Sequence, residues 1–303
     1  MILPVAPRRR LFALSAGFAA GTMAAPAVAR ADDCTEDTLD RIKRTKKFNL
    51  GVRDATPPYG WKGADGTYLG FATDIARAIH AAVGKELGTT IELTMTPVTG
   101  QTRLPLLQNG TIDMEAGATV ITRSRAKIVD FAVPVFLTST EILVPADSPI
   151  KTVKDLAGKR VGVPQGGGGE NIFAGLTQNG RVRPAARVIG FPDHPQGFRA
   201  LQTGSIDAYC TDGPILYSMK VKASDPSQWR VFDLEADVEL QAFPIRPESS
   251  RFKSVADLTI VEMFASGEWE KIYDKYFGPH GVAPFERTAA LDTMARMNAW
   301  ADH

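Results

Sequence analysis

Cysteine is nearly absent from this chain, with 2 in 303 residues, Cys34 and Cys210. Two thiols build neither a disulfide framework nor a cysteine-rich metal site. Histidine is scarce too, at 4, and none stands at metal-ligand spacing from another histidine or a cysteine. There is no Gly-x-Ser-x-Gly elbow, and no obvious base accompanies Cys210, so the usual nucleophilic hydrolase arrangements are missing. Nothing calls for a metal or another cofactor. Past residue 31 no long apolar run occurs, so the remainder is expected to be soluble.

What is present begins with an export signal. "PRRRLFALSAGFAAGTMAAPAVARA" has a tri-arginine start, an apolar stretch from Leu11 to Ala25 and small residues before Asp32. That is a secretory signal peptide over residues 1–31, cleaved after Ala31 or Ala29, and it implies a periplasmic product. Arg9-Arg10-Leu11-Phe12 also has the look of a twin-arginine signal. Its removal takes away Arg8, Arg9, Arg10 and Arg30 and no acid, so 31 basic residues face 34 acidic ones, a balance near −3. No nucleic-acid or acidic-membrane partner is expected from that balance. Cys34 falls on a polar tail without the residues that precede a lipidated cysteine, and Cys210 falls inside an apparent strand, which argues against their pairing.

The rest of the chain alternates strands and helices. A helix from Cys34 to Lys46 leads into the strand "FNLGV". The helix "GFATDIARAIHAAVGKEL" follows, with Phe71, Ile75, Ala78, Ile79 and Ala82 on one face. Then come the strand "IELTMTPV", the helix "TRLPLLQNG" and the strand "TIDMEAGA". A second series repeats the order: "KRVGVPQ", a Gly-rich loop and helix, "ARVIGF", "QGFRALQTG" and "SIDAYCTD". Both series carry Leu-Gln-x-Gly-x-Ile-Asp, at Leu107–Asp113 and Leu201–Asp207. The reading is an α/β protein of two similar lobes, each a largely parallel sheet covered by helices. "STEILVPA" and "VELQAFPI" read as the strands that cross between lobes. The expected layout is lobe one from 32–141 and 243–303, and lobe two from 142–242.

Ligands of such sheets bind beyond the carboxyl ends of the strands, which singles out the loops Arg53–Trp61, Gly117–Arg125, Pro164–Asn171 and Thr211–Pro214. Gly166 to Gly169 precede a helix but end in Glu170-Asn171, where a nucleotide P-loop needs lysine and a hydroxyl. Amides at a helix start still suit a carboxylate, with Gly167 and Gly168 close to it; a slack loop is the plainer alternative. Arg53, Arg103, Arg123 and Arg125 gather on the same rim, and arginine grips carboxylates through paired charge-assisted bonds. Asp212 suits an ammonium group or a helix N-cap. Tyr59 and Trp61 either cover a ligand or plug their loop. Glu170 is the one candidate for a general acid or base.

These segments, above all "GVRDATPPYGW", "PVTGQTRLPLLQNGTIDMEAGATVITRSRAKIVDFAVPV" and "FRALQTGSIDAYCTD", resemble the family 3 extracytoplasmic amino-acid-binding proteins of bacterial ABC importers, and within them the glutamate/aspartate-binding branch. The resemblance runs from about Thr35 to Gly281. It implies a type II clamshell with a two-strand hinge that closes on a small carboxylated solute. It also implies a monomer that hands the solute to ABC permease membrane subunits. By position Arg125 would hold the α-carboxylate, Asp212 the ammonium, and Arg53, Arg103 and His194 a side-chain carboxylate. The chain departs from the branch at Ala118 and Val120, where hydroxyls are usual, in the Gly166–Gly169 run, and at Ala116 and Phe243, where the branch has a disulfide. These departures leave room for an amino-free or bulkier acid. The Gly-Gly-x-x-Glu pattern of Gly166–Glu170 also resembles periplasmic cyclohexadienyl dehydratases, the alternative reading.

Overall fold

The computed structural model describes residues 36–234 and 238–300. The signal segment 1–31 and Cys34 lie outside the described residues. Among the described residues, two five-stranded sheets form the two lobes. In the first the order is Glu92–Pro97, Lys47–Val52, Met114–Ala116, Pro244–Ile245 and Asp130–Phe131. In the second it is Arg187–Phe191, Arg160–Pro164, Ala208–Asp212, Thr140–Pro145 and Trp229–Asp233. The orders correspond place for place. The first three strands of each sheet are parallel. The fourth runs against both its neighbours, so four strands point one way and one the other.

That opposing strand has the same origin in both lobes. Phe136–Thr138 pairs antiparallel with Glu239–Gln241, and each of the two then feeds the lobe it has just reached. Thr140–Pro145 enters the second sheet and Pro244–Ile245 the first. The crossing pair therefore lies partly upstream of "STEILVPA", which is mostly the strand built after the crossing. "VELQAFPI" holds both the crossing strand and its continuation.

The repeated heptapeptide is an architectural device. Gly110 and Gly204 end their helices at φ 74° and 68°, a left-handed backbone that glycine adopts without strain. Leu107, Ile112, Leu201 and Ile206 are buried. Asp113 Oδ2 accepts from the amide of Asn49 at 2.7 Å and Asp207 Oδ2 from that of Arg160 at 2.8 Å, so each aspartate ties its strand to the first strand of its lobe. An arginine meets each carboxylate, Arg41 on Asp113 and Arg160 on Asp207. A Cβ on Gly51 would lie 2.6 Å from Ile112 Cδ1, and one on Gly162 2.5 Å from Ile206 Cδ1. The Gly-Val strands of the two lobes thus owe their glycines to the isoleucines of the repeat.

Helix Phe71–Glu86 buries Phe71, Ala72, Ile75, Ala76, Ile79 and Val83. The expected Ala78 and Ala82 are only half-buried, because the wider face turns toward helix Ser250–Ser266 and the sheet. Gly70 starts the helix at φ 134°, with Tyr59 O only 2.3 Å from where a Cβ would be. Cys210 is free and buried in the second sheet. Ala116 and Phe243, at the positions of the branch's disulfide, are both buried apolar residues.

The isoleucine–glycine fit is testable by thermal denaturation. Gly51→Ala should lower stability by about 1–3 kcal/mol through overpacking. Combining it with Ile112→Val, which removes Cδ1, should cost less than the sum of the two single changes.

Candidate functional site

The carboxyl ends of the strands from both lobes meet at one cavity. Arg53 follows Lys47–Val52 directly; Arg103 opens helix Arg103–Gln108; His194 opens helix His194–Gln202; Asp212 ends Ala208–Asp212. These four, with Ala118, Val120 and Gly167, line the cavity, whose free space of about 50 Å³ is several times what a single water needs. The lobes touch through backbone. A Cβ on Gly100 would lie 2.3 Å from Gln165 O, and one on Gly166, at φ 71°, 2.5 Å from Gly100 C. Only glycine on both loops allows that approach.

One side of the cavity is cationic. Arg53 is 8% and Arg103 3% exposed. Burial and the neighbouring Arg103 push Arg53 down to about 10, so it stays charged at neutral pH. Arg103 Nη2 donates to Gly166 O at 3.3 Å, while its Nε is buried with no hydrogen-bond partner. Arg125 donates to Val120 O at 2.7 Å, Gly166 O at 3.0 Å and Gly167 O at 3.2 Å, and burial brings it to about 10. His194 is pushed down to about 3 by burial, Arg53 and Arg103, and is therefore neutral. Its Nδ1 lies 3.1 Å from Tyr209 Oη. With Tyr209 as donor there, Nε2 carries the proton and is itself a donor for an anion.

The other side is acidic. Asp212 occupies the N-cap position of helix Gly213–Lys222 but makes no capping bond. Its Oδ2 instead accepts from Gln241 Nε2 at 2.9 Å. Removal from water, then Glu239, raise it to about 7 against the pull of Arg103, Arg125 and Arg53. Glu239 lines the same cavity and accepts from Thr140 Oγ1 at 3.2 Å. Under Arg53, Glu115 is fully buried; it accepts from Thr119 Oγ1 at 2.7 Å, and its Oε1 has no hydrogen-bond partner. A cavity lined by both guanidinium groups and carboxylates suits a small zwitterionic solute, and paired arginines suit a carboxylate on it.

Three expected residues sit differently. Tyr59 is 1% exposed and edge-on to Phe71, Phe136 and Phe277 at 6.3, 5.4 and 5.8 Å between ring centroids. It plugs the loop as part of an aromatic core, because a ring buried on all sides gains more than one left on a polar cavity. Gly168 is outside the cavity lining; it begins helix Gly169–Gln178 at φ 107°, with open space where a Cβ would point. Its glycine meets a need of the backbone. Arg125 lies at the cavity's margin, held by carbonyls. The glycine loop thus turns the carbonyls of Gly166 and Gly167 to the arginines, where amides toward an anion were expected. Trp61 stands edge-on to Tyr276 at 5.9 Å with Lys222 of the other lobe over its ring at 5.4 Å. Glu170 is exposed and not in the lining.

Glu115, Thr140, Glu239 and Gln241 escaped the reading of the sequence. The alternation of Glu239 and Gln241 in an otherwise apolar crossing strand was the available signal. An acid inside "TIDMEAGA" was another.

Residues 48–279 match the family described as bacterial extracellular solute-binding proteins, family 3. The L-glutamate/L-aspartate-binding protein of Pseudomonas aeruginosa is 36% identical over 266 residues, covering 87% of this chain and 86% of that one. The glutamate/aspartate import solute-binding protein of Escherichia coli is 32% identical over 266 residues, 88% of this chain and 85% of that one. An ancestral amino acid-binding protein, a precursor of cyclohexadienyl dehydratase, superposes with TM-score 0.68 at 26% identity, covering 79% of this chain and 98% of that one.

The raised Asp212 has a consequence with a definite sign. Its folded value, about 7, stands above the ordinary carboxyl value of 3.8, so the ligand-free fold holds the proton more tightly than the unfolded chain. Its contribution to stability is present in full below the unfolded value and is lost as pH rises through about 7. An ammonium group beside it reverses the preference, so affinity for a cationic head group should rise as pH climbs to about 7 and then level off. Melting of the ligand-free protein across this range checks the first statement, with Asp212→Asn expected to flatten the dependence. Titration calorimetry across the same range checks the second.

Proposed function

The chain belongs to the bacterial extracellular solute-binding proteins, family 3, and from that premise we propose that it binds an acidic amino acid of the glutamate/aspartate type between its lobes. The observation that carries this ligand class is the joining of Arg53, Arg103 and neutral His194 with Asp212 in one cavity. Arg125 would hold the α-carboxylate, Asp212 the ammonium, and Arg53, Arg103 and His194 the second carboxylate. Ala118 and Val120 contribute shape and no hydroxyl. Gly167 lines the cavity and turns its carbonyl to Arg125.

Lobe one, from 32–141 and 243–303, and lobe two, from 142–242, would close about the crossing pair Phe136–Thr138 and Glu239–Gln241. The loaded, closed protein would act outside the cytoplasm as a monomer, after loss of residues 1–31, and dock on the membrane subunits of an ABC importer. It would carry out no chemistry. The dehydratase alternative is not favoured: Glu170, the residue it needs as acid or base, is exposed and outside the cavity lining. The relatives from Pseudomonas aeruginosa and Escherichia coli reported above are also named for glutamate and aspartate.

The test is calorimetric titration of refolded, ligand-stripped protein with glutamate, aspartate, glutamine and prephenate. Glutamate or aspartate should bind well ahead of glutamine. Each charge-assisted bond contributes about 1.5–3 kcal/mol, so Arg103→Ala should weaken glutamate binding by about tenfold or more. The same change should affect glutamine much less. Equal losses for both, or turnover of prephenate, would overturn the assignment.

A further inference from the structure

Resting on the reading above that the cavity takes an acidic amino acid, we infer that Glu239, on the crossing strand, is a second carboxylate of the ammonium subsite, and that it selects amino acids over their amino-free counterparts. Strand alternation puts Glu239 and Gln241 on one face of Glu239–Gln241. From that face Gln241 donates to Asp212 Oδ2 at 2.9 Å, and Glu239 lines the cavity that Asp212 lines. Glu239 accepts from Thr140 Oγ1 at 3.2 Å, which ties it to Thr140–Pro145, the strand that enters the second sheet after the crossing. Its charge acts on both Asp212 and Arg125.

An ammonium group brings three donors and needs acceptors for all of them once water is excluded. Asp212 already has one oxygen engaged by Gln241. Ala118 and Val120, which also line the cavity, bring only apolar side chains there. A further side-chain acceptor must come from another element, and Glu239 supplies one together with negative charge. A dicarboxylate without the amino group brings no cation to this end. Asp212 and Glu239 would then share one cavity with no ammonium group between them, where like charges repel. The acidic pair is therefore favourable toward one ligand class and unfavourable toward the other, which is how specificity arises from differences.

The experiment compares L-glutamate and L-aspartate with glutarate and succinate, by calorimetry or displacement, on the wild-type chain and on Glu239→Gln. The variant keeps size and one acceptor oxygen, and removes the charge. The expected result is a loss of about tenfold or more for the two amino acids, with glutarate and succinate unchanged or tighter. Thr140→Val, which removes the hydroxyl on Glu239, should erode the same ratio to a smaller extent and stands in if Glu239→Gln fails to fold. An unchanged ratio in either variant, with wild-type amino-acid binding intact, overturns the role of Glu239 alone. Silence of the wild-type chain toward all four acids overturns the acidic-ligand reading itself, and this inference with it.

Discussion

Two guanidinium groups held out of water in one cavity are the constraint around which this protein is arranged. Arg53 and Arg103 each sit below a tenth exposed, and each makes the other less favourable. A pair of buried like charges persists only when opposite charge is close at hand. Glu115 beneath Arg53 and Asp212 across the cavity supply part of it. The orphan Nε of Arg103 and the loop carbonyls that accept from Arg103 and Arg125 mark where more is wanted. On the proposed reading, the carboxylates of an acidic amino acid would meet these arginines.

The architecture follows from bringing those charges together from two directions. Each lobe uses the same strand order and ties its third strand to its first with the aspartate of one repeated heptapeptide. The exchange of strands at the crossing means that neither sheet is complete without the other half of the chain's path. The lobes meet through backbone at Gly100 and Gly166. Glycine at these two positions serves the approach of the lobes, while Gly168 next to them serves the turn into a helix.

Much of this was legible beforehand because it depends on local pattern. Helix Phe71–Glu86 announced itself by apolar spacing, and its exact buried face differed only because neighbouring helices decide how far it rolls. The repeated heptapeptide told of two like lobes because its glycine and aspartate do the same local work twice. Arginines just past strand ends pointed to the cavity, since a parallel sheet leaves one edge for ligands. Tyr59 was ambiguous for the opposite reason: a tyrosine in a loop carries no local sign of whether it meets a ligand or a cluster of phenylalanines.

By itself the sequence determined the alternation of elements, the doubling of the lobes and the charged rim, all set by spacing within a few dozen residues. Only the tertiary structure decided that Asp212 leaves its helix cap to accept from Gln241, and that Glu239 joins it in one cavity from the crossing strand. It likewise decided that the glycine loop offers carbonyls to arginines. Those outcomes depend on where a chain returning from the second lobe comes to lie, and proximity created by that return leaves no periodic trace in either segment.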